Sequence, residues 1–287
     1  MLKNNPIFLS SMNIAITGQE GLIGSAFKKR LLDAGHKIIL EMDSRSGMPI
    51  DALENVCNLN GQIDIFIHMA DFCKINKCIE YPALGNINGI TAHRVMEFCR
   101  RNKVPKVIYF SSSRVLSSEK NPYTAGKIYG EELCKAYKDC YNIDYLIIRP
   151  STVYNAFDDL SHRIIDIYIR NALKHKDLIV FGDPETKTLD FTHVDDFVDA
   201  VLIAMRNKWN TCYNISGGEE FRVYNLAKMI IEKTNSQSKI VVKSEETAQP
   251  QKVKINGDKL RNLGYNPKIS LEQGITECVE FYKGLLK

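Results

Sequence analysis

The chain has 287 residues, 44% hydrophobic and 25% charged, and its 38 basic and 34 acidic side chains leave a formal net charge of +4. That length holds one large or two modest domains around a sizeable core, and interspersed charges of so mild a balance give no argument for a nucleic-acid partner, so none is expected. No apolar run approaches the roughly 20 residues that cross a bilayer, so no membrane partner is expected, and the opening "MLKNNPIFLSS" lacks the features of a secretory signal.

Residues 1–11 therefore read as a loose leader, and the folded unit begins near Met12 with the strand "NIAIT". This strand runs into "ITGQEGLIGSAF", where Gly18, Gly21 and Gly24 recur at three-residue spacing as strand passes to a helix over 21–34. Glycines here let the backbone turn tightly, approach a pyrophosphate closely and pack the helix on the sheet, while the helix N-terminus offers N–H groups. The spacing and its strand-to-helix setting predict a dinucleotide site.

The second strand, "KIILEM", ends in "LEMDSRSG". Asp43 stands where an acidic residue accepts hydrogen bonds from an adenine ribose, which points to NAD. Arg45, two residues on, could instead meet a 2'-phosphate, so NADP stays open.

"IDIFIH", a helix over 84–101, "KVIYFS", a helix over 123–141 and "YLIIRP" continue the alternation. Such βαβ units, with strands apolar almost throughout, predict a parallel sheet covered on both faces. After Pro150 the stretch "STVYNAFDDLSHR" reads as loop, followed by a helix to Lys174, a strand, a turn and a second extended piece in "LIVFGDPETKTLDFTHVDDF". A helix over 195–206 leads to "CYNIS", which can rejoin the sheet. A helix over 223–234, the strand "KIVVK" and helices near Lys259 and Leu271 form a smaller unit.

The fold class is thus α/β, a Rossmann-type doubly wound parallel sheet with a smaller C-terminal α/β substrate domain. The dinucleotide-binding part takes 12–155 plus 187–216, and the substrate part 156–186 plus 217–287. The eight cysteines are scattered, without a C-x-x-C pair or a zinc-spaced His cluster, which predicts reduced thiols, a cytoplasmic setting and no metal.

Chemistry concentrates in "SSSRVLSSEKNPYTAGK" (111–127). If a helix starts at Pro122, where a missing N–H costs nothing, Tyr123 and Lys127 share one face. A free tyrosine ionises near pH 10, too high for a base at neutral pH, and a nearby ammonium is expected to lower that value. The pair suits acid/base work between hydroxyl and ketone, with a further hydroxyl from the end of "KVIYFSSS".

At these residues the chain resembles the extended short-chain dehydrogenase/reductase family, in its NAD-dependent epimerase/dehydratase branch. "TGQEGLIG" is similar to the family's T-G-x-x-G-x-x-G, "IHMAD" to H-x-A-A, "NINGI" to N-x-x-G-T and "FSSSRVLS" to S-[ST]-x-x-V-Y-G. "YTAGK" matches Y-x-x-x-K, "RPSTVYN" resembles R-x-x-x-V-Y-G, and "LDFTHVDD" resembles R-D-F-x-H-V-x-D, so that the resemblance spans Met12 to about Pro267.

The resemblance implies that Tyr123 is the acid/base, that Lys127 holds the nicotinamide ribose and tunes Tyr123, and that Ser112 sits beside the substrate oxygen. Alignment on the valine places Ser112, with Ser113 one register step away. Gly18, Gly21, Leu22, Ile23, Gly24, Asp43 and Ala70 would hold the cofactor with Tyr123 and Lys127, and Ser113 and Thr152 would face the substrate. That substrate would be a nucleotide-diphosphate sugar, the setting polysaccharide biosynthesis, and the assembly a homodimer in which the helices over 84–101 and 123–141 form a four-helix bundle.

Three departures bear on the reaction. Dehydratases of the family follow the hydroxyl residue with Asp-Glu, where this chain has Ser113 and Arg114, so dehydration is not expected. The stretch 44–62 is too short for the extra strand and helix that often grip adenosine; a loose grip suits a cofactor-exchanging reductase. Leu189 replaces an arginine that usually meets the diphosphate, so Lys187, Lys252 or Lys254 would supply that charge.

The first expectation is an NAD(P)H-dependent 4-ketoreductase, with a 4-epimerase holding NAD tightly as the alternative and a non-catalytic dinucleotide-sensing protein as the outside one. Plainer roles are expected elsewhere. His68 reads as structural, His193 as an anchor of the "THVDD" turn, Asp195 and Asp196 as helix-start carboxylates, and Trp209 as a surface or partner contact.

Overall fold

The computed structural model describes residues 10–56, 59–157 and 163–285; Cys57, residues 158–162 and most of the expected leader lie outside them. The chain alternates as β1 (Asn13–Thr17), α1 (Leu22–Asp33), β2 (Lys37–Met42), β3 (Ile65–His68), α2 (Ile75–Glu80), α3 (Pro82–Arg101), β4 (Lys106–Phe110), α4 (Pro122–Tyr141) and β5 (Asp144–Pro150). With β9 (Thr211–Ile215), which rejoins as "CYNIS" suggested, the strands form a six-stranded parallel sheet in the order β2-β1-β3-β4-β5-β9.

Ile14, Ala15, Ile16, Phe66, Ile67, Ile108, Ile147 and Ile148 are fully buried because helices cover both faces, which explains the near-continuous apolar strands. One face packs Leu22, Phe27 and Leu31 of α1 with Phe197 and Val201 of α6 (Val194–Met205). The other packs Ala92, Val95 and Phe98 of α3 with Cys134 and Tyr137 of α4. Strand order reverses at β1, with β2 on one side and β3 on the other, and such a switch point opens a crevice at the carboxyl ends of the strands.

The remaining elements are β6 (Thr152–Tyr154), α5 (Ile164–Leu173), β7 (Leu178–Phe181), β8 (Thr188–His193), β10 (Glu220–Arg222), α7 (Val223–Thr234), β11 (Ile240–Lys243), α8 (Asp258–Arg261) and α9 (Leu271–Leu285). They form a three-stranded sheet β10-β8-β6 and a parallel pair β11-β7. A third core gathers Ile165 and Ile169, Leu226 and Ile230, and Ile275 and Val279 from α5, α7 and α9.

Several expectations need correction. "STVYNAF" is not all loop, since Thr152–Tyr154 pairs in parallel with Phe191–His193, some 40 residues later. Trp209, read as a surface contact, is half-buried: it packs against the edge of the core and its Nε1 donates to the Met205 carbonyl at 3.1 Å, at the end of α6. Asp196 does more than start a helix, because its buried carboxylate accepts the Lys268 and Ile269 N–H groups, each at 2.9 Å.

Candidate active site

α1 begins without a side-chain cap on its first amides, directly after the glycine loop. Gly18 has φ +76°, and a Cβ there would come within 2.6 Å of the Ala70 nitrogen, on the loop that follows β3. A Cβ on Gly24 would collide with the Gly18 carbonyl. Turn, strand and helix are thus locked where the switch-point crevice opens, and the side-chain-free cradle fits the diphosphate of a dinucleotide.

Asp43, buried at the end of β2, accepts the Glu20 N–H at 3.2 Å and the Arg45 N–H at 2.9 Å. The Arg45 guanidinium donates to the Glu20 carbonyl at 2.7 Å. Between β2 and β3 the described residues contain two short 3-10 turns and no strand. Arg94 of α3 pairs with Asp51 and, at 3.5 Å, with Glu54, which pins this short segment beside Asp43.

The adjoining strand ends bring the acid/base candidates together. Asn121 caps α4 by accepting the Thr124 N–H, the Thr124 hydroxyl accepts the Asn121 N–H in return, and Pro122 fills the first turn. Tyr123 and Lys127 then share a face as the spacing requires. The Lys127 ammonium donates to the Phe110 carbonyl at 2.7 Å and lies 3.0 Å from Asp71 Oδ2. The Tyr123 hydroxyl donates to the same Asp71 oxygen at 3.4 Å and is also hydrogen-bonded with Ser112.

The electrostatics differ from expectation in one respect. Burial, and then the charge of Asp71, push the Tyr123 hydroxyl well above its ordinary value instead of lowering it. Asp71 itself is raised by burial, against the opposing pull of Lys127. His68, bonded through Nδ1 to Thr17 Oγ1 at 2.8 Å, is pushed down to about 3 by burial and then by Lys127, so it stays neutral and structural. His193 caps α6 by accepting the Asp195 N–H, with Asp195 in the first turn.

One cleft of about 910 Å³ joins these groups, within the usual size range for ligand sites, and its wall includes Gly18, Gly21, Leu22, Ile23, Gly24, Asp43, Ala70, Ser112, Ser113, Tyr123, Lys127 and Thr152. The residues expected to hold the cofactor, to catalyse and to face the substrate therefore share one space. Lys187 lines it too, donating to the Pro250 carbonyl at 2.8 Å, whereas Lys252 is tied to Glu220 at 2.9 Å and Lys254 stands outside this wall.

Two lining residues had no assigned role. Arg114 shares the wall with Leu189, and its buried Nη1 has no hydrogen-bond partner among the described residues. Asp71 could have been noticed in "IHMAD", where the second alanine of H-x-A-A is an aspartate. Among the described residues no His, Cys, Asp and Glu group suits a metal, and no helix is long and apolar enough to cross a membrane.

A doubly wound parallel sheet with a glycine loop at its switch point and a Tyr-x-x-x-Lys pair on the neighbouring helix defines an enzyme of the extended short-chain dehydrogenase/reductase type. The chain belongs to the NAD dependent epimerase/dehydratase family, whose model matches residues 14–216. It is 25% identical to the UDP-glucose 4-epimerase of Mycolicibacterium smegmatis, covering 95% of this chain and 99% of that protein.

Among solved structures, the UDP-glucose 4-epimerase of Thermotoga maritima with UDP-glucose superposes with TM-score 0.87 at 24% identity, covering 96% of this chain and 100% of that one. The UDP-glucuronic acid 4-epimerase of Bacillus cereus, in complex with UDP-glucuronic acid and NAD, gives 0.84 at 23% identity over 96% and 100%. These likenesses show a shared fold.

Proposed function

We propose that the protein is an NAD-dependent 4-epimerase of a UDP-sugar. The reading rests on the match to a UDP-glucose 4-epimerase over 99% of that protein's length by a chain that lines one cleft with Ser112, Tyr123 and Lys127. The 4-ketoreductase favoured from sequence alone drew on the short 44–62 stretch, and Arg94 weakens that argument by tying Asp51 and Glu54 in place at the cofactor end.

Residues 12–155 with 187–216 would carry the cofactor, and 156–186 with 217–287 would close over the sugar. First-turn amides at Leu22 and Ile23 and the turn at Gly18, Gly21 and Gly24 would hold the diphosphate, beside Ala70. Asp43 would accept from the adenine ribose with its remaining lone pairs, a choice that favours NAD over NADP, and Lys127 would hold the nicotinamide ribose. When bound, NAD would supply a hydride acceptor for the hydrogen of sugar carbon 4.

Tyr123 takes the proton of the 4-hydroxyl as the carbonyl forms and gives it back to the same oxygen after the sugar has presented its other face. Ser112 hydrogen-bonds that oxygen throughout. Lys187 and Arg114 offer the positive charge that Leu189 does not, facing the substrate's anionic groups alongside Ser113 and Thr152. Hydride and proton leave and return in equal number, so no net NADH accumulates.

Purified protein given UDP-glucose should form UDP-galactose, followed by chromatography of the nucleotide sugars, with no stoichiometric consumption of NADH. NADH consumption coupled to a 4-keto sugar, without interconversion of the two UDP-sugars, would replace the epimerase reading with the reductase.

A cytoplasmic homodimer completes the proposal. Ile90 on α3 and Tyr129 on α4 are 50% and 49% exposed, an apolar pair that a second copy would cover. Ile90→Glu should convert a dimer to a monomer in light-scattering chromatography, and an unchanged mass would discard this face as the interface.

A further inference from the structure

Among the described residues Asp71 is the one carboxylate within hydrogen-bonding reach of both Tyr123 and Lys127, at 3.4 Å from the hydroxyl and 3.0 Å from the ammonium, through a single oxygen. It is held where β3 runs out: the Thr17 hydroxyl takes the Met69 and Ala70 N–H groups at 3.2 and 3.1 Å, and the backbone then turns Asp71 toward α4. The second oxygen, Oδ1, is buried with no hydrogen-bond partner among the described residues. A carboxylate kept in such a place is costly unless it is paired, and here its pairing is with Lys127 and Tyr123.

We infer that Asp71 is a positioning residue of the proton-transfer centre: it anchors the Lys127 ammonium and fixes Tyr123 as a proton-bearing donor. The inference rests on the reading of Tyr123 as the acid/base. With Asp71 charged, part of the lysine's field is cancelled before it reaches the phenol, and a phenolate would sit beside a like charge. Tyr123 therefore rests as the phenol, ready to give a proton to a carbonyl, and becomes a base only when a bound positive charge outweighs Asp71. A chain with alanine at this position would leave the lysine uncompensated and the phenolate easier to form.

The other groups facing this centre do not duplicate Asp71. Ser112 is neutral, and its hydrogen bond favours the phenolate; Arg163, before α5, acts in the same direction, and Cys73 in the opposite one. Arg114, from the turn after β4, bears its charge on the same hydroxyl. His68 stays neutral, and the Tyr109 ring, beneath the ammonium at 5.3 Å, is held as the phenol by burial. Asp71 is the carboxylate that contacts the pair, so its charge is the one to remove.

Asp71→Asn removes the charge and keeps the shape. In protein labelled with 13Cζ-tyrosine, with the Tyr123 signal assigned by its loss in Tyr123→Phe, the phenol should ionise on the order of one to three pH units lower in the variant than in the parent. This reading needs neither cofactor nor substrate. Asp71→Ala, which installs the family's residue, should shift the same way and serves if the asparagine variant does not fold. In turnover of UDP-glucose, the pH at which kcat rises should fall with the tyrosine value. An unshifted Tyr123 titration in a folded variant overturns the inference; a shifted titration without any UDP-sugar turnover sustains it and instead counts against the epimerase.

Discussion

Tyr123→Phe is expected to lower turnover about 10²- to 10⁴-fold, the usual contribution of one positioned acid/base group, while the fold and NAD affinity stay near their parent values. The substitution removes one oxygen from a buried ring, and among the described residues that oxygen bonds to Asp71 and Ser112, both in the cleft wall. The helix cap that places residue 123 is made by Asn121, Pro122 and Thr124 and is untouched. Removal of the phenol also relieves Asp71 of a partner without exposing it, since the Lys127 ammonium remains 3.0 Å away. Steady-state kcat with UDP-glucose and calorimetric titration of NAD separate the two effects. A turnover within a few-fold of the parent would remove Tyr123 from the proton-transfer role and leave Ser112 or Asp71 to carry it.

The ease with which this site reads from the sequence follows from which interactions are local. Gly18, Gly21 and Gly24 fall within one turn, and Tyr123 and Lys127 within one helical turn, so spacing alone puts each set together. The strands of the main sheet read as unbroken apolar runs because Ile14 to Ile16 and Ile67 are covered from both sides. β6 and β10, of three residues each, are too short to show alternation, and their partners lie in distant β8. Long-range geometry also decided the sign of the Tyr123 shift: the lysine four residues away is local, but the burial that raises the phenol comes from the folded cleft, and the aspartate that adds to it sits on the loop after β3, more than fifty residues earlier. The partial burial of Trp209 followed from packing against the core that no neighbouring residue encodes.

Glu131→Ala should cost about 3–4 kcal/mol of stability, although Glu131 touches no expected ligand. Its buried carboxylate, one turn beyond Lys127 on α4, accepts the Arg149 Nε of β5 at 2.8 Å and also pairs with the other arm of the guanidinium. The Ser111 hydroxyl donates to the same carboxylate at 2.5 Å. Truncation strands the arginine charge between the sheet and α4 and leaves the serine donor unmatched; breaking a buried pair from one side costs roughly 3–5 kcal/mol. The 19% exposure of the Arg149 side chain lets water recover part of that, which sets the lower end of the range. In thermal unfolding the loss corresponds to about 6–16 °C for a chain of this size, at about 2–4 °C per kcal/mol. Glu131→Gln, whose single amide oxygen can still accept from Ser111 and the Arg149 Nε while its NH2 cannot accept from the other arm, should lose less than Glu131→Ala. Because Ser111 precedes Ser112 and Glu131 shares α4 with Lys127, turnover should fall in Glu131→Ala even well below its melting temperature. A melting point within 2 °C of the parent would mean that Arg149 finds another partner and that this pair does not hold α4 against the sheet.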